Sequence, residues 1–335
     1  MTAHRRYEWK DASKVLGSLG GTLACVAAAM GQEAQQPVLI ATDATFGSPM
    51  VYRIDASTAR VIEAKPLTGT GTIGPTPLGG LAFDGQGRLI GFTPSTDNTV
   101  YESDRATGQA TRIGPLRLSA REGGMTIAED GTIFAARTGS PARLFTIDPR
   151  TGSGSTATRL DITTDLSGLA TRDDGMLIGL DLRETDGPAA LREIAPDTGA
   201  TRVLAAIAAA APLDDVGGMT IIDGPEGPVG YFVVTGDASG SAAELWRFDP
   251  YAGDQVLVGE ISGADGTVAA VTGLAGLPCE QCQADLDGDC RATFFDFLHL
   301  SNWFDAGDAR ADLNGDGSID VVDFLFFLGV FEAGC

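Results

Sequence analysis

Residues 80–93 read GLAFDGQGRLIGFT, and the chain returns to this phrase four more times. It recurs as GMTIAEDGTIFAART at 124–138, GLATRDDGMLIGLDL at 168–182 and GMTIIDGPEGPVGYFVVTG at 218–236, then truncated as GLAGL at 273–277. The anchor glycines Gly80, Gly124, Gly168, Gly218 and Gly273 are therefore 44, 44, 50 and 55 residues apart. A second element alternates with the first: VYRIDASTA at 51–59, VYESDRATG at 100–108, LFTIDPRTG at 144–152, LREIAPDTG at 191–199 and LWRFDPYAG at 245–253. Short apolar or alternating runs between turn residues read as strands joined by hairpins, and no long helical period interrupts them. In the D-P-x-T-G turn an aspartate such as Asp148 or Asp249 accepts backbone N–H groups. Pro149 or Pro250 sets φ, and Gly152 or Gly253 takes the left-handed position.

A unit of about 40–50 residues with about four strands is the signature of a β-propeller blade. The ends of the repeat region sharpen this. PVLIATDA at 37–44 matches the second strand of a unit, and VTGLAGLP at 271–278 matches the missing first strand. Chain end would complete chain start and close the ring, leaving no open edge. The expected fold class is mainly β, a five-bladed β-propeller over 37–278. The repeat region resembles bacterial propellers whose blades carry an LY-x-I-D-x-x-T-G hairpin, a motif that is a turn and carries no activity with it.

A different duplication follows. ADLDGDCRATFFDFLHLSNWFDAGD at 284–308 aligns with ADLNGDGSIDVVDFLFFLGVFEAGC at 311–335 at a constant offset of 27. Each copy opens with alternating oxygen-bearing side chains at calcium-loop spacing. In copy two the candidate ligands are Asp312, Asn314, Asp316, Ser318, Asp320 and Asp323, with Gly317 at the sharp turn. In copy one they are Asp285, Asp287, Asp289, Arg291 through its carbonyl, and Asp296. Up to two calcium ions are expected, the second loop being the complete one, because Cys290 stands where Gly317 stands in copy two. A side chain at that turn costs on the order of 1 kcal/mol or more. After each loop a short helix is predicted, with apolar faces Phe297, Leu298, Leu300, Phe304 and Phe324, Leu325, Phe327, Leu328, Phe331. Neither face can be buried alone, so the copies should pack together as a pseudo-symmetric pair.

These loop-helix units, with Asp at the twelfth loop position, resemble the type I dockerin. The frame C-x-A-D-L-[DN]-G-D ending in A-G-C is similar to the GC-type dockerin at the C-termini of exported planctomycete proteins. The resemblance covers about 282–335. It implies a calcium-folded module that docks or anchors the protein on a cohesin-like or envelope receptor. Phe294-Phe295 and Val321-Val322 occupy the tenth and eleventh loop positions, which are polar in many cellulosomal dockerins.

The start of the chain, MTAHRRYEWKDASK and then VLGSLGGTLACVAAAM, reads as a signal peptide over 1–31. Export to the periplasm, cell surface or exterior follows, with no membrane span once the leader is removed. Four cysteines then remain, Cys279, Cys282, Cys290 and Cys335, and they allow three pairings. Cys282 and Cys335 bracket the tail and pair if its ends meet. Cys290 then falls to Cys279 in the hinge over 279–283, ahead of the tail module over 284–335. Cys279, Cys282 and Cys290 with His299 could also be drawn as a zinc site, but the exported context and the intervening calcium loop argue against it.

Composition limits function further. A formal charge of −22 argues against a nucleic-acid or anionic-membrane partner, whose phosphates it would repel. Between 37 and 278 there is no histidine, no cysteine and one lysine, Lys65, so triads and histidine-zinc chemistry have no residues to use. Carboxylate-dependent glycoside hydrolysis survives as the alternative, since two acids suffice. Against it, Trp246 is the one tryptophan there for sugar stacking, and Asp84, Asp104, Asp148, Asp173, Asp174 and Asp249 read as turn acids. The expectation is a non-catalytic binding or display protein whose propeller takes a small molecule, glycan or protein.

Overall fold

The computed structural model describes residues 37–333, apart from 44, 46, 72–75, 85–86, 94–97, 105–106, 119–123, 138–141, 164–165, 183–187, 210–212, 224–226, 237–241, 264–265, 269, 278–283, 285 and 287–293. Five four-stranded antiparallel sheets form the blades. Blade 2 comprises Gly79–Phe83, Leu89–Phe92, Thr99–Ser103 and Ala110–Pro115. Blade 3 comprises Met125–Ile127, Ile133–Arg137, Arg143–Ile147 and Gly154–Arg159. Blade 4 comprises Leu166–Thr171, Leu177–Asp181, Ala190–Ile194 and Thr201–Ala206. Blade 5 comprises Leu213–Ile222, Val229–Gly236, Ala243–Phe248 and Gln255–Glu260.

Blade 1 is built from both ends of the repeat region. Val38–Asp43, Met50–Asp55 and Val61–Pro66 supply its outer three strands, and Val271–Gly276 supplies the innermost. Leu39 lies opposite Gly276 and Ala41 opposite Leu274, and the Leu277 amide donates to the Val38 carbonyl at 3.0 Å. The closure read from PVLIATDA and VTGLAGLP is thus the one the chain makes. The five innermost strands follow one another round the axis and return to the first.

The core lies between blades. Leu39 and Ile54 meet Val233 and Leu245 across the closing seam. Ile40 and Val51 meet Leu81 and Tyr101, while Phe92 and Val100 meet Ile133 and Phe145. Leu144 meets Leu177 and Ile194, and Leu180 meets Phe232 and Trp246. Middle strands therefore bury both faces, as Leu177–Asp181 and Ala190–Ile194 do along their whole length. Burying each such aliphatic or aromatic side chain contributes about 1.5–3 kcal/mol. Trp246 belongs to this core, stacked on Phe232 with its Nε1–H donating to Glu244 at 3.0 Å. It is not a sugar platform.

The acids of the second element are turn acids. Asp148 accepts from the Arg150 amide at 2.8 Å and the Thr151 hydroxyl at 2.9 Å. Asp249 accepts from the amides of Tyr251 and Ala252 at 2.7 and 2.9 Å. These amides hold both carboxyls below the usual carboxylate range. Gly152, at φ 72, also lets the turn touch the preceding blade: a Cβ there would stand 2.7 Å from the Gly114 carbonyl oxygen.

Among the described residues the tail holds two helices, α1 (Phe294–Ala306) and α2 (Val321–Ala333), with one 3₁₀ turn at Ala309–Ala311 between them. Leu300 and Phe327 are fully buried at its centre with Ala284 and Ala311. Phe297 meets Phe324 at 5.7 Å between ring centroids, and Phe304 meets Phe324 at 5.0 Å. One expectation is corrected here. Leu298, Leu325 and Leu328 are 40%, 61% and 48% exposed and stand outside the core. A helix with a single helical neighbour buries a narrow stripe, so Phe297, Leu300, Phe304 and Phe324, Phe327, Phe331 pack while the adjoining leucines face water.

Candidate functional site

The second loop of the tail closes on its own amides. Asp312 Oδ1 accepts from Asp316 N at 3.1 Å and Oδ2 from Gly317 N at 2.9 Å. Asn314 Oδ1 accepts from Asp316 N at 2.9 Å, and Asp316 Oδ1 from Ser318 N at 2.8 Å. Gly317 has φ 82, a left-handed backbone for which glycine is suited and β-substituted residues are not. Asp323 ends the loop and lies in the first turn of α2. Its Oδ2 accepts from Asp320 N and its Oδ1 from Leu313 N, both at 2.9 Å. The Asp320 amide first, then those of Asn314 and Leu313, holds this buried carboxyl below the ordinary value.

The first loop repeats the anchor. Leu286 N donates to Asp296 Oδ1 at 2.6 Å, 27 residues before the Leu313–Asp323 bond, and both aspartates are fully buried. Asp285, Asp287, Asp289 and Arg291 lie outside the described residues. So do Cys279, Cys282, Cys290 and Cys335, and the leader over 1–31. Among the described residues no three His, Cys, Asp or Glu side chains gather around a common point able to hold a metal ion. His299 is exposed on α1 and tilts against Trp303.

At the propeller axis the anchor glycines converge. Gly80, Gly124, Gly168, Gly218 and Gly273 line the axis, each with the residue after it: Leu81, Met125, Leu169, Met219 and Leu274; the gaps among them total about 140 Å³ with open solvent included, and no cavity there admits even a water-sized molecule. Small-molecule sites usually occupy ~300–1,000 Å³. A Cβ on Gly124 would stand 2.1 Å from Leu169 N, and one on Gly168 would stand 2.7 Å from Met219 Cβ. One on Gly218 would meet Leu274 N at 2.7 Å, and one on Gly273 Leu81 Cγ at 2.8 Å. Glycine is required because each innermost strand rests directly on the next.

Sequence reasoning passed over one charged cluster at the seam of blades 4 and 5. Arg172, 6% exposed, pairs with Asp174 at 2.6 Å and Glu193 at 2.9 Å. It also donates to the Pro250 carbonyl at 3.2 Å and lies 4.5 Å from the Tyr251 ring centroid. Arg202 holds Glu193 from the other side at 2.6 and 2.8 Å, and the Tyr251 hydroxyl donates to Asp173. A signal was present. Counting four residues from each anchor glycine gives Asp84, Ala128, Arg172, Ile222 and Leu277, so one blade alone carries arginine there.

No family model and no curated protein matches the chain. Similar solved structures include a protein of unknown function from Bacteroides caccae, 12% identical with a TM-score of 0.39, covering 72% of this chain and 99% of that one. The hydrazine synthase of Kuenenia stuttgartiensis is 14% identical with a TM-score of 0.38, covering 70% and 69%. A GH43 glycoside hydrolase with engineered endo-xylanase and exo-arabinofuranosidase activity is 13% identical with a TM-score of 0.47, covering 71% of this chain and 53% of its own. The fold class rests on sheet order and ring closure: a five-bladed β-propeller followed by a small helical tail. No helix among the described residues is long and apolar enough to cross a membrane.

Proposed function

We propose that the chain is an exported binding or display protein whose tail is a calcium-dependent docking module of dockerin type. The observation that carries this is the pair of features joined in the tail. A loop of hard oxygens at calcium-loop spacing turns through Gly317 directly into α2, and α2 exposes Val321, Val322, Leu325 and Leu328. Leu298 repeats Leu325 on α1 at the offset of 27. A small module that leaves this much aliphatic surface in water is built to be covered.

The donor set fits calcium. Asp312, Asn314, Asp316, Asp320 and Asp323 offer oxygens only, and the Ser318 carbonyl adds another. In the loop as described these oxygens are satisfied by amides of the same loop, and a cation would compete for them. Metal binding would then add to the folding free energy of a module whose core is four buried residues and their rim. In the propeller, the narrow axial space with its glycine and aliphatic lining supports binding on the blade surfaces over chemistry at the axis.

Calcium titration of the full chain followed by Trp303 fluorescence tests the metal half. Saturable binding lost in Asp312→Asn combined with Asp320→Asn supports the reading, and an unchanged signal overturns it. Sedimentation with the envelope fraction of the source cell tests docking. Recovery that chelator abolishes and Leu325→Asp weakens supports it, and recovery indifferent to both removes it.

A further inference from the structure

We propose that Asn314 is a site of spontaneous deamidation, and that this modification resets the charge of the second tail loop. Three asparagines occur in the chain, Asn98, Asn302 and Asn314, and they precede Thr99, Trp303 and Gly315. Only Gly315 lacks the side chain that would shield its backbone nitrogen. It is exposed, its φ is 73, and a Cβ there would meet nothing within 4 Å. The leaving nitrogen, Asn314 Nδ2, donates to Asp316 Oδ2 at 3.0 Å, and Gly315 itself is uncrowded.

The loop also supplies electrostatic assistance. In the reaction the Gly315 nitrogen bonds to Asn314 Cγ, negative charge gathers on Oδ1, and the Cγ–Nδ2 bond breaks to release ammonia, which carries off the amide proton. Asp316 N already donates to Oδ1 at 2.9 Å, a donor placed where that charge develops. Water then opens the succinimide. Cleavage on the Cγ side leaves an ordinary aspartyl link, and cleavage on the main-chain side leaves an isoaspartyl link with one extra backbone carbon. Water is the only co-reactant.

The two products differ in consequence. A carboxylate at this position is compatible with the loop, since Asp287 holds the equivalent place in copy one. It adds a fifth carboxylate to Asp312, Asp316, Asp320 and Asp323. The isoaspartyl product lengthens the backbone between Asp312 and Asp316 and displaces the Asp316 and Gly317 amides from Asp312. The cation arm rests on the calcium reading above: an ion holding Oδ1 would restrain the Asn314 amide and slow ring closure.

The experiment incubates the full chain in warm, mildly alkaline buffer with chelator or with calcium and maps the peptide that follows Arg310 by mass spectrometry. Expected is conversion at Asn314 more than tenfold faster than at Asn98 or Asn302, a ratio set by the unshielded nitrogen and the placed donor. Gly315→Ala and Asn314→Gln should each suppress it. Conversion no faster than at the other two asparagines, or equal in the glycine and alanine forms, overturns the site. Calcium should slow conversion several-fold. Fast conversion that is indifferent to calcium leaves the modification site standing and overturns the cation arm.

Discussion

Gly124 rests on Leu169 so closely that a Cβ would lie 2.1 Å from the Leu169 backbone nitrogen. The contact is backbone on backbone, with no flexible side chain to yield, and it joins blade 3 to blade 4. Gly124→Ala should therefore cost about 3 kcal/mol, the upper end of overpacking penalties. A thermal melt of the full chain checks this, and a transition within a degree of wild type would refute it. Gly329→Ala is the opposite case. This exposed glycine sits inside α2 with nothing within 4 Å of the added carbon, so the change should stabilise the helix by about 1 kcal/mol.

Arg172→Met should destabilise the propeller by about 3 kcal/mol, because it leaves the mostly buried Glu193 with Arg202 alone and removes the link to Pro250. Arg172→Lys should recover little. An ammonium cannot reach Asp174 and Glu193 in the planar fork the guanidinium provides. Denaturant midpoints of the three proteins decide the matter, and full recovery with lysine would show that charge alone suffices.

Ring closure was legible in the sequence because it depends on strand character at the two ends, which PVLIATDA and VTGLAGLP display openly. The anchor glycines were visible as a period, but their reason was not. That reason is the distance between innermost strands, a tertiary quantity no local pattern encodes. The helix faces failed in part for a related cause: Leu298 and Leu325 are as apolar as Leu300, and only the presence of one helical neighbour rather than two leaves them in water. Asp148 and Asp249 were read correctly as turn acids, since an Asx turn is local and Asp148 meets partners within three residues; Asp173, read the same way, instead accepts from the Tyr251 hydroxyl across the blade seam. Arg172 escaped because its partners, Glu193 and Pro250, are 21 and 78 residues away.

Acid should destabilise the fold through many small losses. Asp55, Asp148, Asp174, Glu193, Asp249 and Asp323 all have folded-state values lowered from the ordinary 3.8 or 4.5, and Asp308 is lowered to about 2 by Arg310. A lowered folded value means that the unfolded chain binds protons first. Stability contributed by these groups is complete above the ordinary carboxylate values and is lost as pH falls through the folded ones. Melts should thus be flat on this account from neutrality down to about pH 5 and fall steadily below about pH 4. A maximum below pH 4 would contradict the sign.

The tail offers the sharpest separation of packing from charge. Asp323 is fully buried, and its two oxygens take three amides, those of Leu313, Asn314 and Asp320. Asp323→Asn keeps the shape but turns an NH₂ group toward N–H donors at the start of α2, and should cost the tail about 2 kcal/mol. Trp303, held by His299 and Arg310, reports on the tail, while Trp246 lies in the propeller. The red shift of an unfolding tail should therefore come at lower denaturant in the variant, with the propeller transition unmoved. Asp305→Asn, a change at an exposed residue of α1 outside both loops, is the control. If both variants shift the Trp303 transition equally, the loss is one of net charge. If Asp323→Asn alone shifts it, the amide cage around that carboxylate is what holds the second loop to its helix.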